Sequence, residues 1–225
     1  MGGQACVLYG AAEFSRDTDL ALLASRENLV RLRQALKELR AEPLAIPPLE
    51  LRFLRRGHVV HFRCRHEDAL NIRVDIMSRM RGVSGFATLW RRRTSIRLPD
   101  GTLANVMSLP DLVLAKKTQR DKDWPMIRRL LEAHYFEHRS DPNQVRVRFW
   151  LRELRTPELL IEVARTHRAA AESLVPTRPL LAGATEPDVQ TLSVALRDEE
   201  DAERARDREY WEPLRSELER LRHNR

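Results

Sequence analysis

Apolar positions recur with two different periods along this chain, and the changes of period outline its elements. Leu20-Ala21-Leu22-Leu23 reads as a strand, and Ser25 is a good N-cap for a helix running to about residue 40. Leu29, Leu32, Leu36 and Leu39 give that helix one apolar face, and Pro43, Pro47 and Pro48 end it. Residues 49–56 fit neither period. Gly57 opens a second strand, His58-Val59-Val60-His61-Phe62-Arg63-Cys64. In Asn71-Ile72-Arg73-Val74-Asp75-Ile76-Met77 the alternation points Ile72, Val74 and Ile76 at a core and Asp75 at the opposite surface. The two strands are expected to pair around residues 67–71. Upstream, residues 4–11 suggest a short apolar helix ending at Gly10.

Helix is predicted again over residues 86–91. Residues 96–98 and 103–106 flank Pro99-Asp100-Gly101, whose Asp-Gly step signals a hairpin. Pro110 suits the first position of a helix reaching about residue 117. A further helix spans about 122–138, with Ile127, Leu130, Leu131 and His134 on one side and Pro125 tolerated in its first turn. From Gln144 the pattern is helical, with Phe149, Leu151, Leu154, Leu159, Leu160 and Val163 supplying apolar faces. Pro176, Pro179, Gly183 and Pro187 mark an irregular loop. The last helix, 192–225, carries a sparse stripe of Tyr210, Trp211, Leu214, Leu218 and Leu221 suited to its own domain or to a partner protein. The expected architecture is α/β of the α+β kind: a core over 1–139 with a mixed sheet and flanking helices, then a helical region over 140–225.

Composition narrows the function classes. Among 225 residues, 42% are apolar and 32% charged, and no apolar run approaches the roughly 20 residues that span a bilayer. No basic segment followed by an apolar core opens the chain. No membrane association and a cytoplasmic location are therefore expected. Cys6 and Cys64 are the only cysteines, too few for a disulfide framework and suited to small core positions in a reducing compartment. The net charge of +7 is mainly arginine, concentrated in 52–93 and 116–129. Guanidinium groups bind phosphate in a planar fork, so the charge suits a nucleoside triphosphate or RNA; a solvated surface is the alternative.

The chemistry centres on Asp17-Thr18-Asp19. In an extended backbone both carboxylates project to one side and Thr18 to the other. With Asp75 they supply oxygen donors suited to Mg2+, two ions being expected and Mn2+ an alternative, with substrate phosphates completing the shell. Gly2-Gly3 would let backbone amides approach a phosphate. Taken alone, Asp17-Thr18-Asp19 also suits a polar turn or a helix cap.

Gly2-Gly3, Ser15-Arg16-Asp17-Thr18-Asp19-Leu20 and Val74-Asp75-Ile76 together resemble the nucleotidyltransferase superfamily related to DNA polymerase beta. Leu109-Pro110-Asp111-Leu112-Val113-Leu114-Ala115-Lys116, followed by Arg120-Asp121-Lys122-Asp123, is similar to the branch containing AbiEii-type toxins of bacterial toxin-antitoxin systems. The resemblance covers roughly residues 1–131. It implies a nucleotidyltransferase-type sheet and transfer of a nucleoside monophosphate from ATP or another triphosphate to a hydroxyl. Asp17, Asp19 and Asp75 would be catalytic metal ligands, with Asp75 alternatively the base. Gly2 and Gly3 would hold the triphosphate and Lys116 would neutralise it, with Arg16, Lys117, Arg120 and Lys122 as further phosphate contacts. Branch members modify RNA, notably tRNA ends, or protein hydroxyls. RNA suits the basic charge best; a protein or small-molecule acceptor is the alternative, as is an inactive nucleotide- or RNA-binding module. In the family an apolar strand leads into the glycine pair, whereas here Met1 alone precedes it, so a sheet without that strand is one expectation.

Two other clusters compete. His58, His61, Cys64 and His66 are zinc-ligand types, but in one strand the first and last lie about 26 Å apart, leaving only Cys64 and His66 able to cooperate. Trp90 beside Arg91-Arg92-Arg93 could stack on RNA, although burial of Trp90 with Phe86 and Leu89 is the expectation. Neither a Gly-x-Ser-x-Gly elbow nor a P-loop motif occurs.

Overall fold

The computed structural model describes residues 1–185 and 188–223. It resolves into two compact units, one of 1–115 with 208–225 and one of 116–207.

The first unit contains α1 (Gly2–Leu8), β1 (Asp17–Ala21), α2 (Arg26–Glu38), β2 (Glu42–Pro43), α3 (Leu51–Arg56), β3 (Val60–Arg63), β4 (Arg73–Met77), α4 (Phe86–Arg92), β5 (Thr94–Arg97), β6 (Leu103–Val106) and α5 (Leu109–Lys116), whose last residue begins the second unit. Four strands form a mixed sheet in the order β1-β4-β3-β2. β1 runs parallel to β4, and β3 runs antiparallel to both β4 and β2.

Alternation explains how this sheet is used. Val60, Phe62, Val74 and Ile76 point to one face, where Leu29 and Leu36 of α2, Leu54 of α3 and Cys64 close a core. Their neighbours in sequence therefore point to the other face. Ser25 caps α2 by accepting from the Asn28 amide at 3.2 Å. Residues 49–56 settle as α3, closed by Gly57 in the left-handed region at φ 110°. The β3–β4 connection turns through Asn71 at φ 64°, and Ile72 lies outside β4, exposed rather than core-facing as expected. The Asp100-Gly101 turn joins β5 to β6 as predicted.

The second unit holds α6 (Asp123–His138), α7 (Gln144–Glu153), α8 (Pro157–Thr166), α9 (Arg168–Leu174), α10 (Leu181–Ala184) and the first part of α11 (Val189–His223), whose residues from 208 belong to the first unit. The boundary expected after residue 139 falls inside this unit, between α6 and α7. Trp150, Leu151, Leu154, Leu160 and Leu181 are fully buried. Arg178 is buried among them because every arm has a partner. It donates to the Leu151 and Leu154 carbonyls at 2.7 and 2.9 Å and to Glu199 at 3.0 and 3.2 Å. α10 forms inside the stretch expected to be an irregular loop; Pro187, and the two last residues of the expected C-terminal helix, lie outside the described residues. Among the described residues no helix is long and apolar enough to cross a membrane. The fold class is thus α+β, mostly helical, with two small sheets among the described residues.

Candidate active site

The three expected carboxylates lie on the polar face of the four-stranded sheet. In the parallel register Asp19 pairs with Asp75 and Asp17 with Arg73; in the antiparallel register His61 pairs with Asp75. Asp17, Asp19, Arg73, Asp75 and His61 therefore share the side opposite the apolar core.

Asp75 is nearly buried and well bound. Its Oδ1 lies 2.8 Å from Arg73 Nε and 2.8 Å from His61 Nδ1. Burial alone would push this carboxyl up, but hydrogen bonds from His61 and Arg73, reinforced by their charges, hold it below the usual carboxylate range. In turn the hydrogen bond to Asp75, together with the charges of Asp75, Asp17 and Asp19, holds Arg73 more firmly protonated than a free guanidinium. Arg73 thus lies within electrostatic reach of all three acids.

The glycine pair closes the other side. α1 begins at Gly2 itself, earlier than the pattern suggested, with φ 60°. A Cβ at Gly2 would lie 1.8 Å from Asp19 Oδ2, and one at Gly3 would lie 2.3 Å from Ser15 Oγ. Only glycine lets this backbone come so near the carboxylate. The Gly3 amide approaches Asp19 Oδ2 at 3.4 Å, and the Met1 amino group donates to the Asp19 carbonyl at 2.8 Å. Tyr9, at the end of α1, places its hydroxyl 2.9 Å from both Thr94 Oγ1 and the Met107 carbonyl, which ties α1 to the hairpin side of the unit.

The remaining expected phosphate contacts are either exposed or engaged with carboxylates. Arg16 is exposed, its guanidinium 5.9 Å from the Phe14 ring centre. Lys116, Lys117, Arg120 and Lys122 belong to the second unit, where three are engaged. Lys116 donates to Asp123 Oδ1 at 3.0 Å and Arg120 to Asp123 Oδ2 at 2.9 Å, while Lys117 lies 2.8 Å from Glu153. Lys122 is exposed at the start of α6. Asp123 is buried, and although burial would raise its carboxyl, Lys116, Thr118 and Arg120 together hold it low.

Among the described residues no three His, Cys, Asp or Glu side chains are gathered as a ready metal site. The orientation of Asp75 bears on that, since its Oδ1 faces Arg73 and His61. The zinc-type cluster disperses: His58 pairs with Glu217 at 2.8 Å, His61 faces Asp75, Cys64 lies in the core and His66 caps a short turn through the Asp68 amide. Trp90 corrects an expectation. It is exposed, stacked on Phe86 at 5.9 Å, with the Arg93 guanidinium 4.1 Å over its ring. Leu89 alone turns inward, because a seven-residue helix on a surface buries a single narrow stripe.

His61 and Arg73 are the site residues that sequence reading missed. The signal was present: Arg73 is two positions before Asp75 and therefore on its face, and His61 lies on the polar phase of the β3 alternation. No protein-family model matches the chain, and no curated protein matches it.

Proposed function

We propose that the first unit is a nucleotidyltransferase core that moves a nucleoside monophosphate from a triphosphate to a hydroxyl acceptor. The observation that supports this most is the pairing of Asp19 with Asp75 across parallel strands, with Asp17 on the same face and Gly2 packed against Asp19. Three carboxylates on adjacent strands are a hard oxygen-donor set of the kind that Mg2+ prefers. Asp17, Asp19 and Asp75 would hold the cations. When bound, such ions neutralise triphosphate charge and stabilise the attacking and leaving oxygens of an in-line displacement.

The chain's own residues have separate tasks in this reading. Arg73 offsets the charge of the three carboxylates, and Asp75 would have to exchange its Arg73 bond to serve as a cation ligand. As an alternative to serving as a ligand, Asp75, held by His61, would act as the base that accepts from the acceptor hydroxyl. Gly2 and Gly3 leave space for a phosphate tail beside Asp19. RNA is the acceptor class that the arginine-rich composition favours, while the AbiEii-type resemblance leaves RNA and protein hydroxyls both open.

A second reading has its own support. Asp75 is already satisfied by Arg73 and His61, which suits a protein that binds nucleotide or RNA without transferring anything. Incubation with α-labelled triphosphates, Mg2+ and total RNA separates the two. Label transfer that Asp19→Asn abolishes supports the enzyme; RNA retention without label in the wild-type chain supports the binding module.

A further inference from the structure

We propose that a second anion site lies in the first unit, on the helix side of the sheet: a cavity of about 350 Å³ that takes a phosphate-bearing ligand. Its lining includes Arg56, Arg79, Arg81, Ser78, Ser84 and Tyr210, and no Asp or Glu among the described residues. The volume is at the small end of the range for ligand pockets, which runs from about 300 to 1,000 Å³.

Charge is the first argument. From residue 76 to 99 the chain carries Arg79, Arg81, Arg91, Arg92, Arg93 and Arg97 and neither Asp nor Glu. Arg56 in the lining and Arg92, which bonds the lining Ser84, are both neutralised by carboxylates from outside that stretch. Arg56 pairs with Glu217, and Arg92 grips Asp111 through two bonds of 2.5 and 3.0 Å. Arg79 is different. Its guanidinium donates to the Arg55 carbonyl at 3.0 Å, and no carboxylate among the described residues pairs with it. Arg79 thus brings to the cavity a guanidinium without a carboxylate partner among the described residues, and a phosphate matches its forked geometry.

The loop supplies the second argument. Ser84 accepts from Arg92 Nη2 at 3.1 Å, which fixes the hydroxyl while leaving its own proton to donate. Arg92 thereby ties the 78–85 loop to the buried Asp111, so the cavity wall is braced. Ser78 donates to the Leu54 carbonyl of α3, placing this mouth on the core-helix side, whereas Asp19 and Asp75 face the other way. The site is therefore separate from the carboxylate face, and it does not rest on nucleotidyl transfer.

Binding is measured with the full chain in EDTA, so that no divalent cation can bridge a probe to Asp17, Asp19 and Asp75. The probes are pyrophosphate, ATP and a short single-stranded oligonucleotide, each followed by calorimetric titration. At least one is expected to bind, with Arg79→Glu weakening it about 10- to 100-fold, the range for a lost charged hydrogen bond. Arg79→Lys keeps most of the affinity, Ser84→Ala weakens it less, and Asp19→Asn binds as the wild type does. Binding of pyrophosphate or ATP assigns the cavity to a free phosphate compound; binding of the oligonucleotide alone assigns it to a strand. Arg79 is exposed, so circular dichroism is expected to show unchanged folding, and Ser84→Ala provides an independent check. Absence of binding by all three probes overturns the proposal, as does equal affinity in Arg79→Glu or loss in Asp19→Asn.

Discussion

Asp19 and Asp75 face each other across two parallel strands, although 56 positions separate them in sequence. The first accepts from the Gly3 amide and the second is clasped by Arg73 and His61. One acid is thus turned to the glycine helix and the other to a cationic pair, with Asp17 beside both.

Gly2 is the position where a single methyl group does the most harm to this arrangement. Gly2→Ala forces a left-handed backbone on a side chain, at a cost of about 1–2 kcal/mol, and drives its Cβ into the Asp19 carboxylate. If the proposed transfer occurs, displacement of Asp19 by about an ångström lowers turnover by about 100-fold. Kinetics of label transfer beside a thermal melt would check both effects.

The Asp75 carboxyl is held low in the folded state, so its clasp stabilises the unit at pH values above the unfolded carboxylate range, near 3.9. That contribution is lost as pH falls from there through the depressed folded value. Urea unfolding below pH 4 is expected to show a shallower loss of stability in Asp75→Asn than in the wild type. Equal slopes in the two proteins would remove the clasp as a stabilising element.

His134 in the second unit also loses stability toward acid, but for a different reason: the folded state keeps it neutral. Burial, and then the nearby His138 charge, bring its pKa down to about 4, while its Nδ1 accepts from Trp150 Nε1 at 2.9 Å. The unfolded chain binds the proton more readily, so stability falls as pH drops from about 6.5 to about 4. His134→Phe is expected to flatten that slope, and proton NMR titration of the imidazole reads the pKa directly.

Much of this fold was legible. Ser25 announces α2, the Asp-Gly step announces the β5–β6 hairpin, and Val74 and Ile76 alternate as a strand covering a core. Other parts needed coordinates. The six residues of α3 are too few to establish a helical period, and the two residues of β2 are too few for a strand. Trp90 was expected inside because apolar size suggests burial, but a short surface helix had room to bury Leu89 alone. The clasp on Asp75 depends on register, which places His61 opposite it, and pairing of that kind lies between strands.

Asp123 holds together the start of the second unit. It accepts from Lys116 at 3.0 Å, Thr118 at 2.6 Å and Arg120 at 2.9 Å while almost wholly buried. Asp123→Ala strands the half-buried Lys116 without a counter-charge and is expected to cost about 3–5 kcal/mol. Denaturant titration followed by Trp124 fluorescence would test it; a change within about 0.5 kcal/mol, the scale of ordinary surface substitutions, would contradict the assignment.

The claim at the centre of the account is that Asp17, Asp19 and Asp75 together hold divalent cations. Electron paramagnetic resonance of Mn2+ titrated into the protein with a non-hydrolysable triphosphate measures this without relying on turnover. Bound Mn2+ in the wild-type chain, lost in both Asp19→Asn and Asp75→Asn while each variant stays folded, is the predicted result. Mn2+ that binds equally well to both variants, or does not bind the wild type, would contradict it.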